Sequence, residues 1–136
     1  MSAVADTGFV IAVAVATDQL HEACLAVYRR QDRIYLPQST LAEVAYLLTR
    51  SGGNRITSRF LQGLARTKYR LIALDTEDIV RTAELLEQYA DARVDFVDIT
   101  LASIAERLGI RRILTVDQRD FRILRPRHCE HFELEP

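Results

Sequence analysis

Short apolar runs that alternate with longer stretches of helical periodicity constrain this chain more than any other feature. Ser2 to Asp6, Arg33 to Leu36, Arg70 to Leu74 and Arg112 to Val116 each read as a strand, and a last strand falls near His131 to Leu134. Between them apolar residues recur every three or four positions, as on one face of a helix. Leu41, Val44, Ala45 and Leu48 make one such stripe, and Ile79, Ala83, Leu86 and Ala90 make another. Parallel neighbours need a crossover long enough to hold a helix, so this alternation predicts a mostly parallel sheet covered on both faces. The expected fold is α/β, a single domain over residues 1–136, with four to five strands flanked by helices. Two domains in 136 residues would each be too small to bury a good core.

Local signals set the boundaries. Asp18 is expected to cap a helix reaching Gln31, and Pro37 to end the second strand. Gly52-Gly53 should close a helix over Ser39–Arg50 and separate it from one over Asn54–Thr67. Asp75 caps the next helix, while Asp95 opens another that runs to Leu108 and stops at Gly109. The longest apolar run, Phe9 to Ala16, has 8 residues against the roughly 20 of a membrane span. No basic segment precedes it, so a soluble, cytoplasmic protein is expected. Cys24 and Cys129 are then expected to be reduced. The 18 basic residues comprise 17 Arg and the single Lys68, a bias read first as genome composition and only second as phosphate recognition.

In an open parallel sheet, ligands bind beyond the carboxyl ends of the strands, so acids at those ends matter. Asp6 follows the first strand and Asp117 the fourth, although Asp is also a favoured turn and cap residue. Asp98 shares a helix face with Leu101, Ala102, Ala105 and Leu108, and a carboxylate heading a buried stripe needs a partner. A capping box with Asp95 is the local alternative, as Thr40 to Glu43 is for Glu43. Two carboxylates about 4 Å apart repel by roughly 4 kcal/mol at an effective dielectric near 20, so a cluster needs shared protons or a cation. Without clustered Cys and His, an all-oxygen site implies Mg²⁺ or Mn²⁺. Thr7, Thr115 and Asp95 are candidates for further oxygens or for holding water, and Asp120 for a further acid or a cap. His128 and His131 fall on opposite faces of the expected last strand, which makes zinc a poor alternative.

The segments Ala5-Asp6-Thr7, Leu36 to Val44, Asp95 to Ala102 and Ile113 to Phe121 resemble, in order and spacing, the PIN-domain ribonucleases, particularly the toxins of VapBC-type toxin-antitoxin pairs. The resemblance places the family's acidic set on Asp6, Glu43, Asp98 and Asp117, with Asp95 and Asp120 as companions and Thr115 as the hydroxyl before the last acid. It implies Mg²⁺ or Mn²⁺ held by Asp6, Asp98 and Asp117, endonucleolytic cleavage of RNA by metal-activated water, a homodimer, and a small antitoxin that blocks the site. Ile99 stands where relatives commonly carry a small residue.

Arg119, Arg122, Arg125 and Arg127 follow the last acid, and Arg119 and Arg122 are the expected phosphate contacts; a solvated basic face is the alternative. A non-cleaving RNA-binding or interaction module of the same fold is the second reading, which the intact acidic set disfavours. A phosphoryl-transfer receiver would need a Lys near the site, and a dehalogenase-like phosphatase an acid where Gly8 stands.

Overall fold

Ala3, Val4 and Ala5 are fully buried, as a strand covered on both faces requires. They form β1 (Ser2–Ala5), the middle strand of five in the computed structural model, which describes residues 1–136. β2 (Arg33–Pro37), β3 (Tyr69–Ile72), β4 (Arg112–Leu114) and β5 (Glu133–Glu135) complete the sheet in the order β3-β2-β1-β4-β5. Every pairing is parallel. The chain adds β2 and β3 on one side of β1, then crosses to add β4 and β5 on the other. The carboxyl ends of β1 and β4 therefore flank the point where the winding reverses, the place where such sheets bind ligands.

Six helices cover the sheet: α1 (Thr7–Ala14), α2 (His21–Arg30), α3 (Gln38–Gly63), α4 (Thr76–Gln88), α5 (Phe96–Leu108) and α6 (Arg119–Ile123). Alternation along β1 sorts them into layers. Ala3 and Ala5 join Phe9, Val10, Cys24 and Val44 of α1, α2 and α3 in one core, whereas Val4 joins Ile99, Leu101 and Phe121 of α5 and α6 in the other. In α5 all seven residues from Ile99 to Ala105 are buried, so this helix lies between the sheet and α4.

The glycine pair acts as expected, with one refinement: α3 is broken at Gly53 alone, where φ is 81°. That conformation suits glycine because it has no Cβ. The second half of α3 folds back on the first, and Thr57 Oγ1 donates to Ala45 O at 3.4 Å and lies 2.6 Å from Thr49 Oγ1. Gly109, at φ 67°, ends α5 as predicted.

Several boundaries differ from expectation. Asp18 accepts the Leu20 amide in a tight turn, and α2 begins only at His21 without a side-chain cap. β2 does end at Pro37, its last residue, as expected. β4 ends at Leu114, so Asp117 stands in the loop beyond it, and β5 starts at Glu133. His128 and His131 lie in bends before β5, and His128 Nε2 donates to Ile110 O at 2.7 Å. The short α6 has no forerunner in the periodicity. Both cysteines are free thiols, and no helix is long and apolar enough to cross a membrane.

Lys68 has a purely structural post. Its Nζ donates to the carbonyls of Tyr28, Arg29 and Gln31 at 3.1, 2.7 and 2.7 Å, closing the C-terminus of α2. A Cβ added at Gly8 would meet Val116 Cγ2 at 2.5 Å, so that position takes no side chain without movement. Both observations remove the receiver and phosphatase alternatives.

Candidate active site

Asp6 is the first residue past β1 and the N-cap of α1. Its Oδ1 accepts the Thr7 amide at 2.8 Å and its Oδ2 accepts the Thr115 hydroxyl at 2.9 Å. The second bond spans 109 positions and pins the end of β1 to the end of β4. Burial raises the Asp6 pKa despite these two donors, and the charges of Glu43 and Asp95 raise it further.

Asp98 occupies the third position of α5, and its amide donates to the N-cap Asp95 Oδ1 at 2.9 Å. The reciprocal half of a capping box is missing. At the same place in α4 it is complete: Asp78 Oδ2 accepts the Asp75 amide at 3.0 Å while Asp75 Oδ1 accepts that of Asp78. The Asp98 carboxyl is instead turned toward other acids. Burial first, then the charges of Asp6 and Asp95 and a hydrogen bond with Asp120, push its pKa up to about 8.

Glu43 does not belong to a capping box either. α3 starts at Gln38, so Thr40 and Glu43 are both inside the helix, and Thr40 Oγ1 donates to Ala5 O at 3.2 Å. Ser39 Oγ lies 2.8 Å from Thr100 Oγ1, whose own proton goes to Val97 O at 2.6 Å. Two consecutive hydroxyls at the start of α3 thus tie the helix carrying Glu43 to the elements carrying Asp6 and Asp98. Sequence reading missed this pair, because Ser and Thr near a helix start are ordinary cap residues and only the fold reveals the partners.

Asp117 has a different environment. It is about half exposed, and Arg119 grips it through Nε and a terminal nitrogen at 3.1 Å each, which lowers its pKa. Asp120, in the first turn of α6, is the acid of this segment that meets Asp98. The charges of Asp6, Asp95 and Asp120 thus act on Asp98, and those of Glu43 and Asp95 on Asp6, whereas Asp117 is tied to Arg119. No three acidic, histidine or cysteine side chains close on one point as a ready-made ligand set. Arg122 is exposed and holds the Gln118 side chain at 2.9 Å. Ile99 is fully buried in the core, which accounts for its apolar bulk.

A cleft of about 400 Å³ between α4 and α5 shares no residue with these acids. Its charged lining is consumed internally: Arg81 pairs with Glu106 at 2.7 Å and Arg107 with Asp78 at 2.9 Å.

The five-stranded parallel sheet flanked by helices is PIN-like, and the PIN-domain family model matches residues 3–125. The chain belongs to the PIN-domain family. It is 30% identical over 95 residues, 70% of each chain, to Ribonuclease VapC26 of Mycobacterium tuberculosis. Among solved structures it resembles VapC20 of the same organism, a toxin that cleaves the sarcin-ricin loop, with TM-score 0.78 and 21% identity over 86% of this chain and 91% of that one. VapBC2 from Rickettsia felis, solved bound to a promoter DNA fragment, matches with TM-score 0.73 and 17% identity over the whole of both chains.

Proposed function

We propose that the chain is a single-domain endoribonuclease that cleaves RNA with water activated by Mg²⁺ or Mn²⁺. The observation that carries this reading is the group formed by Asp6, Asp98 and Asp120 with Glu43, at the ends of the two central strands. The donor set fits such an ion. It is made of carboxylate and hydroxyl oxygens, which magnesium and manganese prefer. The Thr7 hydroxyl beside Asp6 is buried without a partner, as suits an atom that holds an ordered water. Asp6, Asp98 and Asp120 would hold the ion, and Glu43 would orient water beside it.

When bound, the ion supplies a Lewis acid that lowers the pKa of water and steadies the phosphoryl charge. The protein's own work is positioning. Thr115 orients Asp6, Asp95 fixes the start of the helix that carries Asp98, and the first turn of α3 anchors the helix from which Glu43 acts on Asp6. Asp117 serves this scheme from outside the group, as the partner of Arg119, and Arg122 remains free to meet a phosphate. Kinship with Ribonuclease VapC26 and with VapBC assemblies supports a cytoplasmic toxin that acts as a homodimer and is restrained by a small antitoxin.

The test is to incubate purified protein with cellular RNA, with Mg²⁺ and with EDTA, and to map new ends. Discrete cleavage that needs Mg²⁺ and vanishes in Asp98→Asn is expected. RNA binding without new ends would assign a non-cleaving module.

A further inference from the structure

β3 is an outer strand of the sheet and pairs only with β2. Such an edge presents a row of backbone amides and carbonyls that no strand meets. Lys68 O accepts the Ile34 amide at 3.1 Å, so the backbone groups of Lys68, Arg70 and Ile72 turn toward β2 and those of Thr67, Tyr69 and Leu71 turn outward.

Part of this outward row is covered by the chain itself. The Tyr69 amide donates to Thr67 Oγ1 at 3.2 Å, and one terminal nitrogen of Arg70 donates to Thr67 O at 2.9 Å and to Tyr69 O at 3.0 Å. The guanidinium therefore lies along the edge as a cover. Leu71, the next outward residue, has no such cover, and its side chain is 50% exposed. Nothing acidic holds Arg70 in place: it is exposed and makes no ion pair, nor does Arg66 in the turn before β3, and residues 44–74 contain no acid.

Beside this edge runs an apolar groove of about 450 Å³, lined by Leu61, Leu64, Ala65, Tyr69, Arg70 and Leu71, with Leu61 44% exposed. Open backbone groups, an apolar slot and uncompensated positive charge thus meet in one place. Together they fit an extended acidic peptide, whose backbone matches the edge, whose alternate side chains reach the slot and whose carboxylates meet the arginines. A second copy of the chain would set the same arginines against each other, and a phosphate chain has no amides to offer the outward carbonyls.

We propose that the β3 edge takes an extended acidic segment of a partner protein as a sixth strand, with Arg70 as its gate. In the free protein the guanidinium covers the carbonyls of Thr67 and Tyr69. A carboxylate of the partner draws it away, the carbonyls then accept the partner's amides, and an apolar side chain enters the groove beside Leu61 and Leu71. β2 separates this edge from β1 and its acids, so the inference stands whether or not the acidic group cleaves RNA.

The test adds to the full chain a blocked peptide of alternating valine and glutamate, compared with one of alternating valine and threonine. Hydrogen exchange at the Leu71 amide reads strand addition, and fluorescence anisotropy reads affinity. The glutamate peptide should slow exchange at Leu71 and bind about tenfold tighter than the threonine peptide, the scale of one hydrogen bond to a charged group. Arg70→Ala should abolish that preference and leave the threonine peptide bound at least as well as in wild type, because charge and cover go together. Leu61→Asn should weaken both peptides. No protection of Leu71 by either peptide, or a glutamate preference that survives Arg70→Ala, would overturn the proposal. So would a single-stranded oligoribonucleotide that protects Leu71 where the peptides do not, which would make the edge a nucleic-acid contact.

Discussion

Thr115 donates its hydroxyl proton to Asp6 Oδ2 at 2.9 Å, and Asp117 O lies 3.0 Å from the Thr115 Oγ1 itself. One fully buried hydroxyl therefore steadies the carboxylate after β1 and shapes the loop after β4. Thr115→Val keeps the volume and removes the donor. A hydrogen bond to a charged group contributes about 1.5–3 kcal/mol, so the variant should lose about that much stability near neutral pH. Its nuclease activity should fall more than tenfold. Denaturant unfolding and RNA cleavage at matched pH measure both, and full activity in Thr115→Val would remove its orienting role.

Asp98 makes the metal-free protein sensitive to alkali. Its carboxyl titrates near the ordinary 3.8 when unfolded and at about 8 when folded. Between those values the folded state keeps a proton that the unfolded state has lost. Stability from this source is complete below pH 4 and is lost as pH rises through 8. In EDTA the melting temperature should decline over that window in wild type and stay flatter in Asp98→Asn, which should melt higher at pH 8. Added Mg²⁺ should stabilise wild type more than the variant, because binding to the folded state alone raises stability. Parallel pH profiles for the two proteins would contradict the grouping of acids around Asp98.

The two acids of the β4–α6 segment should behave unequally. Asp120→Asn removes a carboxylate that meets Asp98 and should lower cleavage by orders of magnitude. Asp117→Asn leaves the group intact and frees Arg119, so its cost should be at least tenfold smaller. Rates measured at saturating Mg²⁺ decide between them, and the opposite ranking would return Asp117 to the centre of the site.

Removing Lys68 should affect stability alone. Lys68→Met keeps the stem and leaves three carbonyls at the end of α2 without their shared donor. A loss of about 1–2 kcal/mol is expected from the helix-end charge and its hydrogen bonds. Cleavage rates per folded molecule should match wild type. A selective loss of activity would give the only lysine a place in the chemistry.

The layers of the fold were legible in the sequence because they follow from periodicity. Strands that read as continuous apolar runs are buried on both faces, and Asp75, Asp95 and Gly109 punctuate helices by short-range chemistry. The short α6 was not legible, since five residues offer too few turns for a period to emerge. Site composition was readable from acids placed after strands, but their grouping was not. Asp117 and Asp120 differ by one turn of chain, and the choice between them depends on where Arg119 reaches and how α6 lies on the core through Phe121. The rotamer of Arg119 and the packing of Phe121 leave no trace in local spacing. Ser39 and Thr100 illustrate the same limit, being 61 positions apart and each unremarked in its own segment.

The sheet order β3-β2-β1-β4-β5 places a strand from the start of the chain beside one that begins at Arg112. Closing a loop of that length is entropically slow compared with forming local helices. During synthesis β1 must wait beside β2 with its other edge open until β4 has emerged, and Asp6 has no Thr115 to hold it until then. Asp120 arrives later still. A partly made chain therefore has no assembled acidic group, and whatever that group does waits until nearly the whole domain has emerged.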